Sequence, residues 1–236
     1  MFDHVTIRVS DLEASRRFYE LALGALTHDG EYLEWDEFGI SAGDAVTRNL
    51  HVGFGVEDRA AVVAWWERLT EAGYRSDGEP GPRPEYTETY FGAFVLDPDG
   101  NSIEAVHHYR SRTGAVHHVW LRTRDVPAVK RFYETVAPAV GIELGRDQSG
   151  LVRWSDGAGS FTFVTGEHPT KNVHLAFGAP DCATVDAFHA AALSAGYTDN
   201  GAPGERPEYH RGYYGAFVLD PDGHNVEAVF HDRSAG

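Results

Sequence analysis

A single cysteine in 236 residues excludes an internal disulfide, so ordinary hydrophobic burial must hold this chain together. Long apolar runs are missing too: none approaches the ~18–20 residues of a membrane-crossing helix. The opening MFDHVTIRVSD lacks the basic and apolar segments of a secretory leader. These absences predict a soluble, cytoplasmic protein. Basic charge is scarce, with 20 Lys and Arg against 36 Asp and Glu and a formal net charge of −16. Nucleic acid and anionic membranes both reward a basic patch, so the expected partner is a small molecule. What is present is a hydrophobic content of 42% and an aromatic content of 12%, enough for one large or two small domains. There are also 13 histidines, and several recur at matching places.

The matching places belong to a tandem repeat. Residues 90–108 (YFGAFVLDPDGNSIEAVHH) return as 213–231 (YYGAFVLDPDGHNVEAVFH). Each copy alternates apolar and polar residues on both sides of Asp-Pro-Asp-Gly, which predicts strand, tight turn, strand. Further upstream, His4-Val-Thr-Ile-Arg through Arg17-Phe18-Tyr19-Glu20 returns as His118-Val-Trp-Leu-Arg through Arg131-Phe132-Tyr133-Glu134. The halves are therefore 1–110 and 115–236, joined by the short polar segment 109–115, which predicts halves that pack directly on one another.

Within each half the pattern subdivides again. Val5, Ile7 and Val9 alternate with His4, Thr6 and Arg8, predicting a half-buried strand. Ser10-Asp-Leu-Glu13 offers a capping box to the helix that follows. Strands are expected at 32–35, 38–42 and 50–56, then a helix over 60–72 stopped by Gly73. The Gly/Pro-rich stretch 77–84 reads as a loop. In the second half the helices are expected at 126–136 and 182–195, and strands at 118–123, 151–154, 160–165 and 173–178. Each half thus reads βαβββ-βαβββ, an α+β chain of four such units.

Strand periodicity then sorts the chemistry-bearing residues by face. With Val5, Ile7 and Val9 on the helix layer, His4 faces the other way; so do His51 and Glu104, and in the second half His118, His174 and Glu227. The His-to-Glu interval is 53 residues in both halves, from 51 to 104 and from 174 to 227. A carboxylate on a strand inside an apolar protein needs a partner that offsets its desolvation. Two imidazoles and a carboxylate on one face suit a divalent cation with positions left open for water, O2 or substrate.

These motifs resemble the vicinal-oxygen-chelate superfamily, which includes glyoxalase I, extradiol dioxygenases, and fosfomycin- and bleomycin-resistance proteins. The residues that carry the resemblance are His4 with Ser10-Asp-Leu-Glu-Ala-Ser-Arg-Arg-Phe-Tyr19, His51, and Asp97-Pro-Asp-Gly-Asn-Ser-Ile-Glu104, with their counterparts in the second half. It implies two tandem glyoxalase/dioxygenase-like domains, half-open barrels with helices outside, each around a metal (Fe, Mn, Zn or Ni). The implied ligands are His4, His51 and Glu104, and again His118, His174 and Glu227. Small members often exchange units between the chains of a dimer. An internal exchange would instead join His4 to His174 and Glu227, and His118 to His51 and Glu104; periodicity allows either, in a monomer with an internal pseudo-dimer or in a homodimer.

Sorting by activity follows the same residues. Glyoxalase I resembles a four-ligand case, yet the strands Phe38-Gly-Ile-Ser-Ala and Ser160-Phe-Thr-Phe-Val carry no extra carboxylate. Extradiol enzymes use three ligands and add a Tyr ten residues before the Glu and a His upstream. Those positions are Phe94 and Phe217, with Thr87 and His210 upstream. The expectation is a metal-dependent enzyme of dioxygenase type acting on a substrate chelated through neighbouring oxygens. A glyoxalase- or lyase-like isomerase or transferase, and a non-catalytic protein sequestering an aromatic compound, are the alternatives. His210 is the candidate acid–base residue. Tyr90, Phe94, Tyr209, Tyr213 and Phe217 are expected to line the cavities with Trp120. Arg8 and Arg122 are candidate anchors for an anionic group, and His108 and His231 share the glutamates' face.

Overall fold

The computed structural model describes residues 1–108, 116–157 and 159–232; the linking segment 109–115 lies outside them. Four βαβββ units follow one another as expected. The first is β1 (Phe2–Val9), α1 (Leu12–Leu23), β2 (His28–Asp29), β3 (Leu33–Trp35) and β4 (Phe38–Ala42). The second is β5 (His51–Gly55), α2 (Arg59–Glu71), β6 (Ser76–Pro82), β7 (Phe91–Leu96) and β8 (Ser102–His107). The third comprises β9 (Val116–Thr123), α3 (Val126–Val140), β10 (Glu143–Gln148), β11 (Leu151–Ser155) and β12 (Ser160–Thr165). The fourth comprises β13 (Val173–Gly178), α4 (Cys182–Ser194), β14 (Thr198–Glu205), β15 (Tyr213–Leu219) and β16 (Asn225–His231).

Units from different halves share each sheet. One eight-stranded sheet runs β14-β15-β16-β13-β1-β4-β3-β2, the other β10-β11-β12-β9-β5-β8-β7-β6. The first unit therefore sits beside the fourth, through the antiparallel pair β1–β13, and the second beside the third, through β5–β9. Neither sheet closes into a barrel among the described residues. A reciprocal clasp supports this exchange: Thr47 Oγ1 donates to Asn172 O, and Thr170 Oγ1 donates to Asn49 O. Both asparagines are left-handed, with φ of 59° and 56°, a conformation that Asn tolerates better than most residues.

Burial follows the alternation. Val5, Ile7 and Val9 are buried, while His4 and Thr6 are partly open and Arg8 is exposed. The apolar face meets helix aromatics: Tyr19 packs on Phe38, and Tyr133 on Phe161, with ring centroids 5.0 and 4.8 Å apart. No helix is long and apolar enough to cross a membrane among the described residues.

Three local expectations need correction. The cap of α1 is Asp11, which accepts from Ala14 N; the Ser10 hydroxyl instead donates to Asp99 Oδ1 at 2.6 Å. Helix α3 runs on through Pro138 to Gly141, whose φ of 66° ends it. The Gly/Pro stretch near 77–84 is not a loop but the edge strand β6, as is its counterpart β14. Glycine is needed there because an aromatic ring lies across the backbone: a Cβ on Gly78 would stand 2.7 Å from Phe94 and one on Gly201 2.8 Å from Phe217. Proline is tolerated because an edge strand leaves half its N–H groups unpaired.

The Asp-Pro-Asp-Gly turns hold more than Pro and Gly. Asp97 accepts from Asp99 N, Asn101 N and the Tyr19 hydroxyl, and buried Asp220 accepts from Asp222 N and His224 N. Burial, aided by nearby Asp222, pushes the Asp220 carboxyl up from 3.8 to about 7 despite those bonds. A folded-state value above the unfolded one means that the contribution is complete below pH ~4 and is lost as pH rises through ~7. Asp220→Asn is therefore expected to remove a pH-dependent loss of at most about 4 kcal/mol. Denaturant midpoints measured from pH 4 to 8 check this, and parallel curves for the two proteins would contradict it.

Candidate metal centres

The exchange of units decides which residues meet. Two groups form: His4 with His174 and Glu227, and His51 with Glu104 and His118. In each group one ligand-type atom per residue lies within 4.8 Å of the others. The grouping by half, His4 with His51 and Glu104, and His118 with His174 and Glu227, is thus corrected. The reason is the sheet order: β1 pairs with β13, not β5, so His4 reaches the strand that carries His174.

The geometry of the groups is closely matched. His4 Nε2 and His174 Nε2 are 2.9 Å apart, as are His51 Nε2 and His118 Nε2. Glu104 Oε2 lies 3.1 Å from His51 Nε2 and 3.2 Å from His118 Nε2. Glu227 Oε2 lies 3.0 Å from His174 Nε2 and 3.7 Å from His4 Nε2. The other oxygen of each carboxylate accepts a tyrosine hydroxyl, Tyr90 on Glu104 at 2.9 Å and Tyr213 on Glu227 at 2.6 Å. Glycine makes room for this: a Cβ on Gly92 would stand 2.2 Å from Glu104 Oε1, and one on Gly215 2.6 Å from Glu227 Oε1.

Electrostatics follow from burial and pairing. Burial works to raise the Glu104 carboxyl, but hydrogen bonds from His118 and His51 outweigh it and bring it to about 2. Burial lowers His118 and His174 against the pull of their glutamates, favouring the neutral imidazole that a cation requires. His4 is raised: burial opposes, but Asp3 and Glu227 prevail. Burial also drives the Tyr90 and Tyr213 hydroxyls upward, next to the carboxylates, so both remain donors.

These donors fit a divalent cation. Glu227 Oε2 is buried, has no hydrogen-bond partner among the described residues and is turned toward two imidazole nitrogens. A buried charge left in that state is costly unless a cation or proton meets it. With its Nδ1 taken by Asp3 Oδ1 at 2.9 Å, His4 turns Nε2 toward His174 Nε2 and Glu227 Oε2.

Beyond the ligand-type atoms the two groups diverge. Asp3 Oδ2 accepts from His231 Nε2 at 2.9 Å, and His231 Nδ1 meets His210 Nε2 at 2.9 Å. His210 is thus the exposed end of a relay that leads to His4, not a neighbour of the centre itself. At the other group the residue matching Asp3 is His117, whose Nδ1 is 2.8 Å from His118 Nδ1 and whose Nε2 meets His108. Burial, with the neighbouring His118 and His108, pushes His117 down to about 3, so this partner carries no charge.

The expected lining residues divide into two classes. The Phe94 ring lies 5.7 Å from His51, and Phe217 lies 6.2 Å from His174. Tyr209 packs on Tyr213 at 4.9 Å, while Tyr86 packs between Tyr90 at 5.0 Å and Trp120 at 6.1 Å. Of the two arginines, exposed Arg8 lies along Gly43, and Arg122 donates to Asn49 O. The glutamate–tyrosine pairs, Asp3 and His117 were not singled out from sequence. Their traces were the repeated Tyr-x-Gly-x-Phe and the residue just before each strand-opening histidine.

Comparison with known proteins agrees with this architecture. The family model for the Glyoxalase/Bleomycin resistance protein/Dioxygenase superfamily matches residues 1–105 and 115–228. A single-residue variant of glyoxalase I from Zea mays superposes with a TM-score of 0.71 at 21% identity, covering 98% of this chain and 93% of that one. A Bacillus subtilis protein provisionally named a dioxygenase gives a TM-score of 0.71 at 15% identity, over 98% of this chain and 85% of that one. At these identities the likeness is one of fold. No curated protein matches the chain in sequence.

Proposed function

The chain belongs to the Glyoxalase/Bleomycin resistance protein/Dioxygenase superfamily, and on that premise we propose that it is a metal-dependent enzyme of dioxygenase type. Its two 2-His-1-Glu centres would act on small aromatic substrates chelated through neighbouring oxygens. The observation that carries this reading is the convergence of two imidazole nitrogens and a carboxylate oxygen in each group, with Glu227 Oε2 otherwise unpartnered. A bound cation supplies Lewis acidity and, if it is iron, O2 activation.

The residues of the chain account for the rest. Tyr90 and Tyr213 fix the glutamate rotamers by binding one oxygen and leaving the other for the cation. The rings of Phe94, Phe217, Tyr86 and Trp120 give an aromatic ligand flat surfaces beside the centres and limit water there. His210, as the acid–base residue, passes protons between solvent and the cavity of His4, since it is exposed and hydrogen-bonded toward Asp3 through His231. Three ligand-type residues per group, with Gly39 and Thr162 on the adjoining strands β4 and β12, favour an open three-ligand centre over a four-ligand glyoxalase site.

Metal content after native purification tests the first half of this reading, with close to two ions per chain expected. Oxygen uptake by the Fe(II)-loaded protein across a panel of catechols tests the second half. Turnover without oxygen would move the assignment to a glyoxalase- or lyase-like isomerase or transferase. Tight binding of an aromatic ligand by protein that takes up no metal would replace the enzyme by a sequestering protein.

A further inference from the structure

Register places one row of side chains on the sheet face of each centre, and the two rows carry opposite charge. In the first sheet the row runs His28, Glu34, Gly39, Thr6, His174, Asn225. In the second it runs Arg146, Arg153, Thr162, Trp120, His51, Ser102. Residues paired in register project from the same face, so Glu34 shares the face of His174, and Arg153 the face of His51. The repeat thus replaces a carboxylate by a guanidinium at the same register position of the two rows.

Among the described residues, no partner within the chain accounts for the arginines. Arg146 and Arg153 stand directly opposite each other, an arrangement that destabilises a sheet when no counter-charge lies between them. Acidic residues outnumber basic ones by 36 to 20, yet among the described residues neither arginine has an ion pair or a side-chain hydrogen bond. Thr162 stands next in the same row, and its buried Oγ1 also lacks a hydrogen-bond partner. Two unpaired cations and an orphan hydroxyl on one cavity face are a set of donors without an acceptor.

We propose that the cavity of His51, Glu104 and His118 takes a substrate with an anionic group, held by Arg153 and Arg146 with Thr162 as a further donor. The cavity of His4, His174 and Glu227 rejects that group through Glu34. The two cavities therefore sort substrates by charge. The chelated end of such a substrate rests on the metal-enzyme reading above; the charge selection is additional to it.

Calorimetry on the zinc-loaded full chain tests this with three ligands that share one chelating pair of oxygens: catechol, 3,4-dihydroxybenzoate and 3,4-dihydroxybenzylamine. A charge-assisted hydrogen bond corresponds to about a tenfold difference or more in affinity. The chain with His174→Ala and Glu227→Ala, which keeps the second cavity, should prefer the benzoate over catechol by about that factor. Arg153→Gln should erase the preference, and Arg153→Glu should turn it toward the amine. The chain with His51→Ala and Glu104→Ala should favour the amine until Glu34→Gln removes the bias. In the otherwise intact chain, Arg153→Gln alters only an exposed side chain, and it should remove the tighter benzoate phase. Equal affinities for the three ligands in the second cavity, or a benzoate preference that survives Arg153→Gln and Arg146→Gln, would overturn the proposal. Zinc uptake and catechol binding without charge discrimination sink only this inference, whereas a chain that takes up no zinc sinks the metal reading and this inference with it.

Discussion

Replacing His4 and Glu104 together by alanine should abolish tight metal uptake at both centres, although the two residues lie in the same half of the chain. Each loss removes one of three ligand-type residues from a different group, because His4 meets His174 and Glu227 while Glu104 meets His51 and His118. The pair His4→Ala with Glu227→Ala removes two donors from one group and should leave the other intact. Loss of a direct ligand should weaken a site by on the order of 100-fold or more, the upper end of what outer partners alone cost. Metal stoichiometry by elemental analysis after desalting reads the result, expected as none for the first variant and one per chain for the second. Finding one ion in the first variant and none in the second would contradict the exchanged grouping. Thermal melting of each variant guards against misfolding, since Glu104 is buried and its removal leaves the Tyr90 hydroxyl without its acceptor.

Asp3→Asn should weaken cation binding at the His4 centre by about 10- to 100-fold while leaving the His51 centre unchanged. A carboxylate behind a ligating imidazole fixes its tautomer and raises the basicity of the distal nitrogen; Asp3 does this for His4 at 2.9 Å. The opposite centre has an uncharged imidazole there, His117, behind His118. His117→Asp should accordingly strengthen that centre toward the level of its counterpart. Competition of the protein with a coloured chelator for zinc measures both constants. If Asp3→Asn shifts neither, the carboxylate has no part in cation binding.

Much of this arrangement was legible in the chain because strands and duplication speak through local pattern. Alternation around Val5, Ile7 and Val9 fixed the face of His4, and the shared 53-residue interval tied each strand-opening histidine to a glutamate. The choice of partner was not legible. β1 could have paired β5 or β13 with the same faces presented, and only the order of strands in the assembled sheets decides. Edge strands β6 and β14 escaped notice because Gly and Pro, which usually break strands, are there to accept an aromatic ring and an unpaired edge. The capping box failed for a different reason. The Ser10 backbone N–H and hydroxyl both donate to Asp99, distant in sequence, and the Asp11 carboxylate accepts at the cap instead.

The clasp between residues 47–49 and 170–172 holds two related halves in an arrangement that two identical chains would give as a symmetric dimer. In such a dimer every mutation is written into both cavities at once, and neither can drift from the other. Once both copies lie on one chain, that bond of inheritance is cut. Asp3 can differ from His117, and Glu34 from Arg153, so a single polypeptide can hold two specialists where its symmetric counterpart could hold only twins.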